Sequence, residues 1–206
     1  MTQPAPPVWL LDIDGVVNAL ARGPVAGSWP ADQWVQHVVP ADIPGSGRMV
    51  LPILAACPVL DFIVRVVRTG AAEVIWHSTW REAAVTDLAP VLGLPQLPIS
   101  HAPEWTQRPE LIWWKLPAAR RVVESGRRLV WTDDDIAVVP DQVGDLDARP
   151  DTLLISPDPH TGLTADQLRA IADFVGLDEF DDSEGESHGH REPAPRRSLF
   201  ARLLRT

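Results

Sequence analysis

Short apolar runs alternate along the chain with amphipathic segments whose apolar positions recur at helical spacing. The apolar runs predict four buried strands, at about 8–12, 71–76, 128–132 and 152–155. The amphipathic segments predict helices over about 54–68, 81–92, 115–125 and 164–175. Because strands alternate with helices, the pattern predicts an α/β fold with a mainly parallel sheet.

A long connection, about residues 18–52, separates the first predicted strand from the first predicted helix. It contains two short strand-like segments, 34–39 and 48–51, joined by the glycine-rich turn 44–47. This arrangement predicts a hairpin-like flap. A connection of this length inside a compact domain is usually functional or mobile.

The composition changes at residue 178, where an acidic run begins that is followed by a basic segment, 191–206. Leucines and Phe200 lie among the arginines of this segment, so its end is amphipathic. We therefore expect one catalytic domain over 1–177 and a disordered tail over 178–206. A solvated tail is the simpler interpretation, and a docking site for a partner protein is the alternative.

The bulk composition restricts the class of protein. A net charge of −10 argues against a broad electrostatic footprint on nucleic acid, although a local basic channel remains compatible with it. No apolar run reaches the roughly 18 residues that span a bilayer, so no stable membrane association is expected. The N-terminus resembles no secretory signal, and the single Cys57 cannot form an intrachain disulfide. A cytoplasmic location is the resulting expectation.

Reactive side chains follow several of the predicted strands. Asp12 and Asp14 close the first strand, Ser78 and Thr79 follow the second, and the run 133–135 contains three aspartates after the third. Lys115, the only lysine among 18 basic residues, begins a helix. Each could be a turn, cap or surface residue when taken alone. The carboxyl ends of parallel strands share one sheet edge, so together they predict a single site.

The residue types at this edge indicate which ion the site would bind and which reaction it would support. Clustered carboxylates with no histidine or cysteine among them favour hard oxygen ligation, and therefore Mg²⁺. A lysine and a hydroxyl beside them suit the binding of a phosphate. Phosphoryl transfer needs charge neutralisation and a nucleophile, and an aspartate can form an aspartyl-phosphate.

These motifs resemble those of the haloacid dehalogenase (HAD) superfamily. The resemblance covers about residues 8–175 and rests on Asp12-Ile-Asp14-Gly15-Val16, Ser78, Lys115 and Asp133-Asp134 in that order. It implies a Rossmann-like, three-layer core with a small flap-type cap. The second aspartate of the first motif is typical of the phosphatase members of the superfamily. A Mg²⁺-dependent phosphomonoester hydrolase is therefore the implied activity.

The resemblance also implies a role for each residue. Asp12 would be the nucleophile and a Mg²⁺ ligand, and Asp14 would supply a backbone carbonyl to the metal and its carboxyl as general acid and base. Ser78 and Lys115 would bind the transferred phosphoryl group, with Thr79 beside them. Asp133 and Asp134 would hold the metal.

Three further segments are similar to the HAD domains of "Swiss Army Knife" RNA repair proteins, namely 76–80, 131–134 and 157–164. This similarity implies phosphorylated RNA or DNA ends as substrates, and a minimal cap would leave the site open to large molecules. Tryptophans outside the predicted strands could stack on a base: Trp29, Trp34, Trp80, Trp105, Trp113 and Trp114. The alternative is a weakly catalytic or non-catalytic module of this fold that docks a partner through its basic tail.

Overall fold

A sheet of four parallel strands forms the centre of the part of the chain that the structure describes, residues 5–100 and 113–177. In this computed structural model the strands are β1 (Val8–Leu11), β4 (Glu73–Trp76), β5 (Leu129–Thr132) and β6 (Thr152–Ile155). Their order is β4-β1-β5-β6, and every neighbouring pair is parallel. All four strands lie within the runs predicted from the sequence, and the α/β fold with a parallel sheet is confirmed.

Helices cover both faces of this sheet. Side chains alternate along a strand, so Trp9 and Leu11 of β1 pack on one face while Val8 and Leu10 pack on the other. The first face is covered by α1 (Cys57–Thr69) and α5 (Ala165–Val175), and the second by α3 (Leu116–Glu124) and α4 (Pro140–Asp147). The fold therefore has three layers with one apolar core on each side of the sheet.

The helix boundaries follow local sequence signals. Helix α5 begins with the predicted capping box, in which the Thr164 hydroxyl accepts a hydrogen bond from the Gln167 N–H. The predicted helix 81–92 contains a π-helical turn, Ala84–Leu88, before the short α2, Ala89–Leu92. The sequence did not predict α4, because its interior glycine and three aspartates are poor helix formers. Packing of Val143 and Leu146 against the core compensates for that weak propensity.

The flap is longer than predicted. Its strands β2 (Trp34–Ile43) and β3 (Gly47–Ala56) form a two-stranded antiparallel hairpin that continues past residue 52. The two flap strands are predicted to be short because Pro40 and Pro52 follow them in the sequence, and proline rarely fits inside a sheet. A two-stranded ribbon leaves backbone groups along one edge of each strand unpaired, which makes proline tolerable, and the side chains of both prolines are exposed. The predicted start of α1 at residue 54 was wrong, because 54–56 belong to β3.

Several predictions concern residues that the structure does not describe. The tail 178–206, the partner docking assigned to it and Trp105 lie outside the described residues and stay predictions. The predicted segment 97–99 contains a single parallel bridge, between Trp76 and Ile99. Within residues 5–100 and 113–177, no helix is both long and apolar enough to cross a bilayer.

Candidate active site

Asp12 lies immediately after β1, at the carboxyl edge of the sheet. Its N–H donates to the Thr132 carbonyl at 3.1 Å, which extends the pairing between β1 and β5 by one residue. Asp12 is 5% exposed, and its Oδ1 accepts a hydrogen bond of 2.8 Å from the Ile13 N–H. The backbone fixes both the position and the orientation of this carboxylate.

The chain reverses direction directly after Asp12. The N–H groups of three successive residues, 16–18, converge on the Ile13 carbonyl at 2.8 to 3.2 Å. Gly15 adopts a φ of +74°, a region that other residues avoid. A Cβ atom at Gly15 would lie 2.4 Å from Cγ of Asp134. Glycine is therefore needed both for the turn and for the close approach of Asp134.

Lys115 bridges the two most buried carboxylates of the site. Its Nζ donates to Asp12 Oδ2 at 2.5 Å and to Asp133 Oδ2 at 2.6 Å, and the lysine is only 3% exposed. Burial lowers the pKa of Lys115, but the negative charges of Asp12 and Asp133 outweigh burial and raise it. The ammonium group therefore stays charged. A lysine presents a compact ammonium group to the two carboxylates, whereas an arginine would present a larger, planar guanidinium.

Burial and mutual repulsion act on the carboxylates. Burial raises the pKa of Asp12, opposed by the charge of Lys115. Burial and the charge of Asp12 raise the pKa of Asp133 to about 8. Burial together with Asp135 and Asp12 raises the pKa of Asp134 to about 6. The site concentrates more negative charge than one lysine neutralises.

This excess charge and its donor atoms fit a divalent cation. Asp12, Asp133 and Asp134 each offer a carboxylate oxygen, and the three oxygens lie within 4.8 Å of one another. The set contains only hard oxygen donors, which suits Mg²⁺. The side chain of Asp135 is exposed, and its N–H donates to Asp133 Oδ1 at 3.2 Å, which orients Asp133.

Ser78 reaches the same point from the neighbouring strand. The His77 N–H donates to the Leu11 carbonyl at 2.8 Å, so the pairing of β4 with β1 continues to the edge of the site. Ser78 is 4% exposed and hydrogen-bonds the Asp12 carboxylate. Thr79 is the next residue and is exposed, so its predicted role in substrate binding stays a prediction.

The carboxylate of Asp14 lies apart from this group of three and has its own partners. Oδ1 accepts a hydrogen bond of 2.7 Å from Asn18 Nδ2, and Oδ2 accepts one of 2.8 Å from Trp80 Nε1. Trp80 is 1% exposed, so the hypothesis that it stacks on a base is wrong. The Trp80 indole instead lies inside the protein, where it donates a hydrogen bond to Asp14.

For Trp34, which is half-buried and donates to the Trp29 carbonyl at 3.2 Å, the stacking hypothesis stays a prediction. Trp29 is buried, and its Nε1 donates to the Leu163 carbonyl, so it is not available to a base. Trp113 stacks on the buried Trp131 with ring centres 4.8 Å apart. Trp114 is half-buried, and its ring lies 5.7 Å from Lys115 Nζ and 5.6 Å from the Arg81 guanidinium. Trp113 and Trp114 therefore both lie beside Lys115, and Trp114 also lies beside Arg81.

His77 hydrogen-bonds the backbone of Lys115. Its Nε2 lies 3.0 Å from the Lys115 carbonyl oxygen, which can only accept, so Nε2 carries the proton. Burial, with the charge of Lys115, lowers the pKa of His77 to about 3. The ring is therefore neutral and holds the backbone from which Lys115 extends. Among the described residues, Nδ1 has no hydrogen-bond partner.

The late segment 157–164 supports the turn after Asp12. The Leu163 N–H donates to the Val16 carbonyl at 3.0 Å, and the Leu20 N–H donates to the Pro159 carbonyl at 2.7 Å. Gly162 has a φ of +64°, and a Cβ atom there would lie 2.6 Å from the Val16 carbonyl oxygen. This segment packs on the turn that follows Asp12.

The structure thus brings together Asp12, Ser78, Lys115, Asp133 and Asp134, and it places Asp14 next to them through the turn at Gly15. Sequence reasoning missed Asn18, which it treated as the start of the flap connection. One signal was present, because Asn18 is a polar residue in the otherwise apolar run 16–19.

Comparison with protein families gives one match. The model of a family described as "HAD domain in Swiss Army Knife RNA repair proteins" matches residues 8–168. The matched region runs from the first residue of β1 into α5 and contains every candidate site residue. Neither the curated proteins nor the solved structures include a significant match to the chain.

Proposed function

The chain belongs to the family of HAD domains in Swiss Army Knife RNA repair proteins, and we propose that it is a Mg²⁺-dependent phosphomonoester hydrolase. One observation carries the proposal: the buried Lys115 ammonium lies between Asp12 and Asp133, with Asp134 close enough to share a metal ion. Such an arrangement is costly for stability alone, because buried ion pairs rarely repay their desolvation.

In the proposed first step, a carboxylate oxygen of Asp12 attacks the phosphorus of a phosphomonoester. The bond between phosphorus and the leaving oxygen breaks, and Asp14 transfers a proton to that oxygen, so an alcohol leaves. The product is an aspartyl-phosphate on Asp12. Ser78 and Lys115 are side-chain donors that hydrogen-bond Asp12, and they would bind the oxygens of the transferred phosphoryl group.

In the proposed second step, Asp14 accepts a proton from water, and the water oxygen attacks the same phosphorus. The bond between Asp12 and phosphorus breaks, which releases inorganic phosphate and restores the Asp12 carboxylate. Asp12, Asp133 and Asp134 would hold Mg²⁺, together with the Asp14 backbone carbonyl. The ion, when bound, supplies positive charge against the phosphoryl oxygens.

The proposed substrate is a phosphorylated RNA or DNA end. The family name refers to RNA repair, and the half-buried Trp114 beside Lys115 offers an aromatic surface near the reacting phosphate. Aromatic stacking on a terminal base is tolerant of sequence, which suits an enzyme that acts on ends.

The test is phosphate release with Mg²⁺, and with EDTA as a control, from a panel of substrates. The panel contains 3′- and 5′-phosphorylated oligonucleotides, mononucleotides, sugar phosphates and an aryl phosphate. Asp12→Asn and Asp14→Asn should each abolish release while the protein stays folded. Full activity in Asp12→Asn would refute the mechanism, and a preference for mononucleotides or sugar phosphates would refute the proposed substrate.

A further inference from the structure

Each oxygen of the Asp14 carboxylate accepts a hydrogen bond from the N–H group of another side chain. The Asn18 amide nitrogen lies 2.7 Å from Oδ1, and the Trp80 indole nitrogen lies 2.8 Å from Oδ2. Asn18 is 4% exposed and Trp80 is 1% exposed, so neither donor is exchanged readily for water. Two donors on two oxygens fix the plane of the carboxylate as well as its position.

The orientation of the Asn18 amide follows from its second partner. Asn18 Oδ1 accepts a hydrogen bond of 2.9 Å from the Leu54 N–H, which can only donate. The oxygen of the amide must therefore face Leu54, and the NH₂ group must face Asp14. An aspartate of the same shape would keep the bond to Leu54 but would set a negative oxygen against Asp14.

Leu54 belongs to β3, one strand of the flap hairpin. Its carbonyl also accepts a hydrogen bond of 2.8 Å from the Ala19 N–H. Both polar backbone groups of Leu54 are therefore bonded to residues 18 and 19. Through Asn18, the flap strand is connected to the Asp14 carboxylate by two hydrogen bonds in series.

We infer that Asn18 and Trp80 are positioning residues for Asp14, and that Asn18 makes the position of the Asp14 carboxylate depend on the flap strand β3. This inference rests on the proposed function, since it assigns the two residues to the proton-transfer step of that reaction. Both act through the Asp14 carboxyl group, and neither is itself the acid or the base of the proposed reaction.

The inference predicts a dependence on the leaving group. An alkoxide leaving from an alkyl phosphate needs a proton in the transition state, whereas a nitrophenolate is stable enough to leave without one. Displacing Asp14 should therefore slow the cleavage of an alkyl phosphate far more than that of nitrophenyl phosphate. A general loss of structure would slow both cleavages by the same factor.

The experiment measures kcat/KM, which reports steps up to phosphoryl transfer, for a phosphorylated oligonucleotide and for nitrophenyl phosphate in the full-length protein with Mg²⁺. Variants are Asn18→Asp and Trp80→Phe. Trp76→Phe is the matched control, because Trp76 is a fully buried indole whose Nε1 has no hydrogen-bond partner among the described residues. Circular dichroism and thermal unfolding verify that each variant folds.

We compare kcat/KM for the oligonucleotide with kcat/KM for nitrophenyl phosphate. In Asn18→Asp and in Trp80→Phe, the ratio of the first to the second should fall by roughly tenfold or more. The ratio in Trp76→Phe should stay within about twofold of wild type, since the general acid is not disturbed there. Equal losses on both substrates in the two variants would overturn the inference while leaving the phosphatase proposal intact. A wild-type protein inactive on both substrates would overturn the proposed function itself. If Asn18→Asp does not fold, Trp80→Phe decides between the outcomes.

Discussion

Acidification should destabilise the protein through the buried His77. In the folded state burial, with the charge of Lys115, lowers the pKa of His77 to about 3, against a value of 6.5 in an unfolded chain. Between these two values the unfolded state binds a proton that the folded state does not. The contribution of His77 to stability is therefore complete above pH 6.5 and is lost as the pH falls.

The size of the loss follows from the two pKa values. Each pH unit below 6.5 costs about 1.4 kcal/mol until the pH approaches the folded-state pKa. At pH 5, the free energy of unfolding should be lower by about 2 kcal/mol than at pH 7.5 on account of His77 alone. Asp133 and Asp134, whose pKa values are raised to about 8 and about 6, act in the opposite direction, as does the raised pKa of Asp12.

The His77→Gln variant isolates this contribution. A glutamine amide can still donate a hydrogen bond to the Lys115 carbonyl, but it does not titrate. Urea unfolding of wild type and variant at pH 7.5 and pH 5, with EDTA present, gives four free energies. Because the aspartates titrate in both proteins, their effect cancels in the comparison. The wild type should lose about 2 kcal/mol more than the variant, and equal losses would refute a neutral, buried His77.

Three further predictions concern the ligands and the turn that positions them. Lys115→Met leaves two buried carboxylates without a cation and should lower the free energy of unfolding at pH 7 by about 3–5 kcal/mol in urea titrations; a loss below about 1 kcal/mol would contradict the ion-pair geometry. Gly15→Ala sets a methyl group against the Asp134 carboxylate, so calorimetry should show Mg²⁺ affinity reduced by roughly tenfold or more, and unchanged affinity would count against Asp134 as a ligand. Gly93 and Gly162 both have a positive φ, but of the two only Gly162 faces a backbone carbonyl, that of Val16. Thermal unfolding should show that Gly93→Ala lowers the free energy of unfolding by about 1–2 kcal/mol and that Gly162→Ala lowers it clearly more. Equal losses would show that the Val16 carbonyl moves aside without cost.

The strand ends could be predicted from the sequence because buried parallel strands produce short, uninterrupted apolar runs. Asp12 and Asp133 follow such a run directly and Ser78 follows one after a single residue, so the parallel arrangement alone brings them to one edge. Lys115 has no such run before it, and its place rested on the family resemblance and on its being the only lysine. The structure supplies a physical reason for it, a position between two buried carboxylates.

The parts that the sequence could not predict depend on contacts distant along the chain. Nothing near Trp80 indicates that its indole faces inward to Asp14, 66 residues earlier in the chain. Asn18 and Leu54 are 36 residues apart, and their hydrogen bond exists only because the hairpin returns to the turn. Residues 54–56 continue the helical spacing of α1, yet pairing with β2 places them in a strand. Tertiary contacts override local pattern in each case.

On the proposed mechanism, Asp12 becomes phosphorylated during turnover. The most direct measurement starts with the wild type, Mg²⁺ and an oligonucleotide that carries a radiolabelled terminal phosphate. The reaction is quenched rapidly with acid, and the labelled peptide is identified by peptide mapping. We predict label on the peptide that contains Asp12, and none in the Asp12→Asn variant or with EDTA. Release of labelled phosphate by an enzyme that never carries the label on Asp12 would contradict the account.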